Sequence, residues 1–394
     1  MTKRNDETSR SLLLLVAGAK GAVASTLAVA VAALQQQPES VLPGLMTADL
    51  FPYIGPPQAV HFAGWDKQPG TLLQSITSQG IIPEHLWKLS QTMIEEIPLQ
   101  PAPSSDLGLA EQVELLQADI QRYKNNFPHA LPVFINLLPA GFQTDLYRHV
   151  SLERLLAKAD PVMCPDIAYL LAAIRCDVPV VNFTPNDLEV PVILDEAEKR
   201  GVPISGRDGK TGQTYLKVVL ASALKARKLV VDGWYSLNIL GNEDGRNLMD
   251  PERASGKMAN KTEVLEEILG YPVGAKYGGS SHKVHIDYYP PRGDAKEAWD
   301  VIDFSGIFGL PMSLRLNLLG RDSVLAAPLV LDLARWMAAL KLAGFAGPVP
   351  DLGFYFKKPV GENGPVTFQD QMMGLDRLRQ ACDQRLLGDS AINK

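Results

Sequence analysis

The chain has 394 residues, 46% of them hydrophobic, and a formal net charge of −6. This length can bury a large core and exceeds the usual size of one compact domain, so we expect more than one. The acidic balance and the lack of a dense lysine or arginine run argue against a nucleic-acid binder. The three cysteines, Cys164, Cys176 and Cys382, are far apart, which indicates neither a disulfide framework nor a metal site and fits a reducing cytoplasm.

The first predicted element is a strand at 12–17, followed by a glycine turn and an alanine-rich helix over about 25–34. Lys3 and Arg4 before this apolar run imitate a secretion signal. Glycines and Lys20 nevertheless split the run into pieces that are too short to span a bilayer, so we predict no membrane partner. A strand, a glycine turn and a helix form the opening unit of a dinucleotide-binding fold.

The glycine turn, in VAGAKGAVAST, is a degraded G-x-G-x-x-G with Lys20 in place of a glycine. Gly18 and Gly21 permit a tight turn near a helix start, where a pyrophosphate could bind. Read alone, the motif fits a purely structural turn equally well. The acid expected on the adenosine ribose is Asp66, at the end of HFAGWD, if an insertion delays the second strand. The alternative for Asp66 is a solvated turn residue.

Short β-branched runs alternate with helical stretches over the first part of the chain. They lie at 12–17, 59–64, 132–138, 178–183 and 228–234. This alternation predicts a parallel sheet wound with helices. The proline- and serine-rich segment 98–108 is predicted to be a surface loop within that domain.

The pattern changes after residue 236. Strand-like runs with little helix between them lie at 282–290, 301–308 and 312–320, and they predict a mainly antiparallel sheet. A long helical run returns at 323–344. We therefore predict an α/β fold, a Rossmann-like doubly wound parallel sheet with an inserted α+β domain. The predicted domains are 1–235 for dinucleotide binding, 236–317 for the inserted α+β domain, and 318–394 for C-terminal helices that rejoin the first domain.

The stretch SGRDGKTGQT contains a glycine-lysine-threonine triplet before a helix, as nucleotide triphosphate loops do. The P-loop pattern also needs a glycine six residues before the lysine, where this chain has Ile204, so we predict no ATP site. Four residues would lie at the helix N-terminus, namely Thr211, Gly212, Gln213 and Thr214. Free N–H groups and the helix dipole favour an anion there, although an ordinary N-cap would give the same pattern.

The stretch SLNILGNEDGRNL places Asn238, Asn242 and Asp244 around two glycines. Amides and a carboxylate on such a loop suit a polyhydroxylated ligand, although asparagine–glycine clusters also form simple turns. Later lysines could contribute to one pocket or lie singly on the surface; they are Lys257, Lys261, Lys296 and Lys357.

Taken in order, these stretches resemble the myo-inositol-1-phosphate synthase family over most of the chain. The matching segments are GAKGAVAST, GWD, NFTPNDLEVP, GRDGKTGQT, SLNILGNEDGRNL, GKMANKTEV, GDAKEAW, RDSVLAAPLVLDL and FYFKKPV. The resemblance implies an isomerase, an intramolecular lyase that converts glucose 6-phosphate to myo-inositol 1-phosphate with NAD by oxidation, enolisation, aldol closure and reduction. It also implies that the predicted domain 1–235 binds NAD and that the predicted domain 236–317 serves catalysis and oligomerisation. The implied assembly is a cytoplasmic homotetramer built through the inserted sheet, with a monovalent or divalent cation as an activator.

The resemblance assigns site residues, with no metal ligands among them. The cofactor residues are Gly18, Ala19, Lys20, Gly21, Ala22, Val23, Asp66, Asp208 and Asp322. The substrate residues are Thr211, Gly212, Gln213, Thr214, Asn238, Leu240, Asn242, Asp244 and Lys261. The catalytic residues are Lys257, Lys261, Lys296, Lys357 and Asp208. Burial and mutual repulsion should lower the pKa of at least one of these lysines.

Several positions depart from the family pattern and leave the identity of the sugar open. Lys20 and Ala24 replace glycines, Glu243 replaces an asparagine, Arg321 a glutamate and Tyr215 a lysine. The alternatives are a cyclase acting on another sugar phosphate, an NAD-dependent dehydrogenase, and a non-catalytic sugar-phosphate or dinucleotide sensor. A dehydrogenase would release NADH. The four matched lysines count against a sensor, because a sensor needs no groups that stabilise an enolate.

Overall fold

The computed structural model describes residues 10–141, 144–241, 245–246, 249 and 264–388. The chain divides into two compact units. The first contains 1–207, 327–349 and 377–394, and the second contains 208–326 and 350–376. These bounds differ from those of the predicted domains 1–235, 236–317 and 318–394, which stay a prediction.

The elements are numbered in chain order. The strands are β1 Leu12–Ala17, β2 Val60–Asp66, β3 Leu99–Pro101, β4 Leu131–Asn136, β5 Val180–Asn182, β6 Pro203–Gly206, β7 Val230–Leu240, β8 His282–Tyr288, β9 Ala295–Ser305, β10 Pro311–Arg321 and β11 Gly347–Pro348. The helices are α1 Ala22–Gln36, α2 Leu72–Gln79, α3 Glu84–Trp87, α4 Gln91–Glu95, α5 Leu109–Asn126, α6 Leu152–Lys158, α7 Asp166–Arg175, α8 Pro191–Lys199, α9 Gln213–Ala226, α10 at 264–269, α11 Asp322–Leu342 and α12 Phe368–Leu387.

The first unit is built on a seven-stranded sheet in the order β11-β6-β5-β4-β1-β2-β3, with every neighbouring pair parallel. All six residues of β1 are buried, as expected for a central strand covered on both faces. β2 lies so close to β1 that a Cβ at Gly64 would be 2.1 Å from the Val16 carbonyl oxygen. This parallel sheet with its helices confirms the predicted Rossmann-like class.

The second unit is built on a four-stranded sheet in the order β10-β9-β7-β8. β9 pairs antiparallel with both β10 and β7, which confirms the mainly antiparallel sheet. β8 differs, because it runs parallel to β7 after a long connection of the kind that parallel strands require. The core of this unit joins α9, α10 and the sheet, and it includes Val218, Trp234, Leu265 and Ile302.

Two predicted elements were wrong in detail. The run 228–234 was assigned to the parallel sheet, but it opens β7 of the second sheet. A short apolar run reads the same in either sheet, and only its pairing with β9 decides. The predicted loop 98–108 contains β3, which pairs with β2 at the sheet edge, where proline is tolerated because one side of the strand stays unpaired.

Among the described residues, α11 is the one helix long and apolar enough to cross a membrane, and 78% of its most apolar window is buried within the protein. Its Trp336 packs edge-on against Phe51, with 4.9 Å between the ring centroids. Such burial is typical of a core helix. The length and composition of α11 are therefore weak evidence for a membrane span.

Candidate active site

The glycine turn of the first unit joins β1 to α1. Gly18 has a φ of +78°, and a Cβ there would lie 2.8 Å from the Leu137 carbonyl oxygen, so only glycine fits. Gly21 is the N-cap of α1, and no side chain in the described ranges caps this end of the helix. The first turn of α1, with Ala22 and Val23, is thus an uncapped helix start, as predicted from the sequence, and anion binding there stays a prediction.

Asp66 ends β2 and is 8% exposed, so it is not a solvated turn residue. Its carboxylate accepts the Lys20 N–H at 2.7 Å and the Gln68 N–H at 2.7 Å. The structure therefore brings the predicted ribose acid against the glycine turn. Each oxygen of the carboxylate has a second lone pair for a further donor.

The loop that the sequence predicts to bind phosphate runs from Asp208 to Thr214 in the second unit. The Lys210 N–H donates to the Tyr355 carbonyl at 2.8 Å, and the Lys357 N–H donates to the Asp208 carbonyl at 2.8 Å. These bonds attach the loop to the segment FYFKKPV. α9 begins at Gln213 with Gly212 as its N-cap, and within the described part of the chain no side chain caps it. The predicted helix N-terminus at 211–214 is confirmed.

Two lysine–aspartate pairs lie in the second unit. The Nζ of Lys296 is 2.9 Å from an oxygen of Asp322, and the Nζ of Lys357 is 2.6 Å from an oxygen of Asp208. The side chains of Lys296 and Lys357 are 15% and 14% exposed, respectively, so both charges are largely removed from water. Thr211 donates to the other Asp322 oxygen at 3.1 Å. The structure thus gathers five of the predicted site residues.

The Asp322 side chain is partly buried, with 28% of its surface exposed, and burial by itself raises the pKa of the carboxylate. The charges of Lys296 and Lys357 and the hydrogen bonds from Lys296 and Thr211 outweigh this effect, and the pKa of Asp322 lies below its usual value. Asp322 directly follows β10, and Lys296 lies near the start of β9, opposite Gly320 in the antiparallel ladder. Strand pairing therefore fixes the position of this ion pair.

Lys210 is a buried lysine to which the sequence assigned no role. Its Nζ donates to the Gly353 carbonyl at 3.0 Å and to the Gln371 side-chain oxygen at 2.8 Å. Burial lowers the pKa of Lys210 to about 7, and the charge of Lys357 acts in the same direction. Lys210 is not one of the lysines for which the sequence predicted a lowered pKa, so that expectation stays a prediction. Its partners follow it by more than a hundred residues, so local spacing carries no signal of this contact.

Asp300 is a second residue that the sequence missed. Its carboxylate is 2% exposed and accepts from the Gln213 amide at 2.8 Å, the Trp234 indole at 2.7 Å and the Ser236 hydroxyl at 2.5 Å. The side-chain amide of Gln213 is therefore bound to Asp300, whereas its backbone N–H belongs to the uncapped first turn of α9. Asp300 follows the motif GDAKEAW directly, one residue beyond the stretch that marked Lys296.

The remaining predicted substrate residues divide into two groups. Asn238 and Leu240 lie on β7 and are buried, and the Asn238 amide has no hydrogen-bond partner within the described ranges. Leu240 pairs with Lys296 across the β7–β9 ladder. The other group lies outside the described residues, and it consists of Asn242, Asp244, Lys257 and Lys261. Within the part of the chain that the structure describes, no three histidine, cysteine, aspartate or glutamate side chains lie together as a metal site.

The parallel sheet with its helices defines the class, an α/β protein with a Rossmann-like sheet. A model of the myo-inositol-1-phosphate synthase family matches residues 212–323. Inositol-3-phosphate synthase 1 of Bacteroides thetaiotaomicron is 36% identical over 331 residues, which cover 76% of this chain and 75% of that protein. The chain belongs to the myo-inositol-1-phosphate synthase family and is an isomerase of the inositol-3-phosphate synthase type.

Two further relatives extend the comparison. Inositol-3-phosphate synthase 1 of Oryza sativa subsp. japonica is 30% identical over 311 residues, 72% of this chain, and the match spans 60% of the rice protein. The crystal structure of inositol-3-phosphate synthase from Caenorhabditis elegans superposes with a TM-score of 0.83 at 22% identity, covering 95% of this chain and 86% of that one. At that identity the likeness shows the fold.

Proposed function

We propose that the protein converts glucose 6-phosphate to myo-inositol 1-phosphate in an NAD-dependent reaction with no net change in redox state. The observation that carries this proposal is the gathering of Lys296, Asp322, Lys357 and Asp208 with Thr211 beside the N-terminus of α9. Membership of the synthase family supports the cyclisation generally. The largely buried cations and the helix start are the two features that a phosphorylated sugar passing through enolate chemistry needs.

The residues of the glycine turn fit a dinucleotide. Gly18 lacks the Cβ that would close the turn, α1 offers N–H groups for the pyrophosphate, and Asp66 is a buried carboxylate beside them. When bound, NAD would take a hydride from the sugar and later return it. Ala19, Lys20, Gly21, Ala22 and Val23 complete the proposed cofactor turn, and Asp208 and Asp322 are proposed at the nicotinamide end.

The phosphate of the sugar is proposed to bind at the start of α9. The N–H groups of Gln213 and Thr214 and the positive end of the helix dipole favour the anion, with Thr211 and Gly212 completing the loop. Gln213 contributes its backbone rather than its side chain, because Asp300 holds the amide. Asn238, Leu240, Asn242, Asp244 and Lys261 are proposed to contact the rest of the sugar phosphate.

The lysines are proposed to stabilise negative charge that develops on oxygen during enolisation and aldol closure. An ammonium in a site with little water stabilises such charge far more strongly than one in solution. Lys296 and Lys357 are each paired with a carboxylate, so neither charge is unbalanced before the substrate binds. Lys257 and Lys261 are proposed to add to the same set. One of these lysines is proposed to carry the proton that leaves and returns.

The deciding experiment is incubation of the purified protein with glucose 6-phosphate and NAD, followed by NMR of the product and by absorbance of reduced nicotinamide. We expect an inositol phosphate without net NADH. NADH that rises in step with an oxidised sugar would instead indicate a dehydrogenase. Binding of both ligands without any product would indicate a sensor. Turnover of another sugar phosphate, but not of glucose 6-phosphate, would indicate a cyclase of different specificity.

We further propose that the protein forms a homotetramer through the second sheet and works in the cytoplasm. The turn before β10 and one face of β10 itself carry large apolar side chains that are exposed in the single chain, namely Ile307, Phe308, Leu310, Met312 and Leu314. We call this set the β10 patch. An exposed apolar surface of this kind marks a protein–protein contact. A second copy of the chain is the partner that the family resemblance implies.

A further inference from the structure

Lys20 stands where the family resemblance expects a glycine, and it connects two segments of the first unit. Its backbone N–H donates to Asp66 at 2.7 Å. Its side chain is buried, and the Nζ donates to the carbonyls of Gln68 and Gly70, each at 2.6 Å. Main chain and side chain of one residue thus hold the turn 66–70 that follows β2. We call these contacts the Lys20 clasp.

A further bond fixes Lys20 itself. The Gln79 amide at the end of α2 donates to the Lys20 carbonyl at 2.7 Å. The Asp66 carboxylate also accepts the Gln68 N–H. The turn that Lys20 holds through hydrogen bonds is therefore the same turn that orients the Asp66 carboxylate. The position of Asp66 therefore depends on Lys20 directly through one hydrogen bond and indirectly through two more.

We infer that Lys20 is a positioning residue that holds Asp66 for the 2′-hydroxyl of the adenosine ribose and thereby sets the affinity and selectivity for NAD. This inference rests on the proposed function, because it assumes that the first unit binds NAD. A carboxylate accepts from a ribose hydroxyl and repels a 2′-phosphate, so an acid held in place favours NAD over NADP. The two side-chain bonds come from a charged donor, which makes them stronger than neutral hydrogen bonds.

A direct contact between the Lys20 ammonium and the pyrophosphate is the competing role. The two roles differ in which part of the cofactor they affect. If Lys20 acts as a clasp, its loss impairs recognition of the 2′-hydroxyl. If Lys20 contacts the phosphate, its loss weakens the binding of every ligand with the pyrophosphate equally and leaves discrimination at the ribose unchanged. ADP-ribose and its counterpart lacking the 2′-hydroxyl of the adenosine separate the two roles, because they carry the same pyrophosphate.

The experiment measures the affinity of both compounds, and of NAD and NADP, by calorimetry for the wild type, Lys20→Met and Lys20→Gly. The glycine variant keeps the backbone bond to Asp66 and has the residue that the family resemblance expects, so it should fold even if the methionine variant does not. Lys67→Met is the matched control, since it removes an exposed charge from the same turn. Thermal unfolding of each protein without ligand shows whether the variant is folded.

We expect the wild type to prefer the compound with the 2′-hydroxyl about tenfold or more, from a hydrogen bond to a charged acceptor. In both Lys20 variants this preference should fall to about threefold or less, with a parallel loss of preference for NAD over NADP, and Lys67→Met should match the wild type. Equal weakening of both compounds with the preference retained would overturn the inference in favour of a phosphate contact. Unchanged binding in the Lys20 variants would also overturn it. A wild type that binds neither NAD nor ADP-ribose would refute the proposed cofactor itself.

Discussion

The position of the Lys296 ammonium is fixed by strand pairing, since β9 and β10 place it 2.9 Å from Asp322. We predict that Lys296→Met, which keeps much of the stem and removes the charge, lowers turnover about a hundredfold or more. Substrate affinity should change much less, because the group acts mainly in the transition state. Steady-state turnover and calorimetric binding measure the two effects, with exposed Lys283→Met as the control. Normal turnover with poor binding would reassign Lys296 to the phosphate.

Asp66 is a buried acid whose two oxygens each accept one backbone N–H. We predict that Asp66→Ala weakens NAD binding by about 1–3 kcal/mol, the range for loss of a hydrogen bond to a charged group. Calorimetric titration with NAD checks this value. Asp106→Ala, which alters an exposed acid of the same unit, should leave it unchanged. If Asp66→Ala binds NAD with the affinity of the wild type, a residue other than Asp66 binds the adenosine ribose.

Lys210 gives a prediction about pH, because burial lowers its pKa from the ordinary 10.5 to about 7. Between these two values the unfolded chain binds the proton and the folded protein does not, so this residue makes the free energy of unfolding rise with pH. Lys210→Met removes that contribution. The difference in unfolding free energy between wild type and variant should therefore shift in favour of the wild type from about pH 7 to pH 10.

Urea unfolding at several pH values measures this difference. Burial also lowers the pKa of Lys217 to about 8, and the resulting pH dependence is common to both proteins, so it cancels in the difference. Lys283→Met, an exposed lysine, should follow the pH dependence of the wild type. A constant difference between wild type and Lys210→Met over this range would mean that Lys210 stays protonated in the folded protein.

At the scale of elements, the long periodic segments could be predicted from the sequence and the strand partners could not. β1, β2, β4 and β5 and the helix after the GKT triplet follow from local pattern. β7 was placed in the wrong sheet, because its apolar start carries no information about β9. The site shows the same limit. Motifs marked Lys296 and Lys357, whereas Lys210 and Asp300 are recognisable only from partners that are distant in sequence.

Asp300 connects three elements, since its carboxylate accepts from α9 and twice from β7. We predict that Asp300→Ala lowers the free energy of unfolding by about 3 kcal/mol or more, because three buried donors lose their acceptor. Asp303→Ala, an exposed acid on the same strand, should stay within about 0.5 kcal/mol of the wild type. Urea unfolding compares the two variants. If Asp300→Ala is as stable as the wild type, water or another acceptor replaces the Asp300 carboxylate.

At the scale of the whole molecule, the β10 patch gives a prediction about assembly. Phe308 is 87% exposed in the single chain, so its replacement should not affect the folded subunit. We predict that Phe308→Ser shifts a homotetramer towards smaller species, measured by light scattering after size exclusion at several concentrations. Leu89→Ser, a similarly exposed apolar residue outside the patch, is the control. An assembly that is unchanged in Phe308→Ser would place the interface elsewhere.

The first unit is assembled from three separate stretches of chain, and this arrangement has a consequence for biosynthesis. Its parallel sheet gains β11, and Phe51 gains its partner Trp336, only from residues after 326. About 120 residues of the second unit are synthesised before residue 327, where the first unit resumes. At ordinary rates of translation this takes roughly 6–24 seconds, during which apolar surface of the first unit stays uncovered. We therefore expect the nascent chain to depend on chaperones more than a protein whose units are each continuous in sequence.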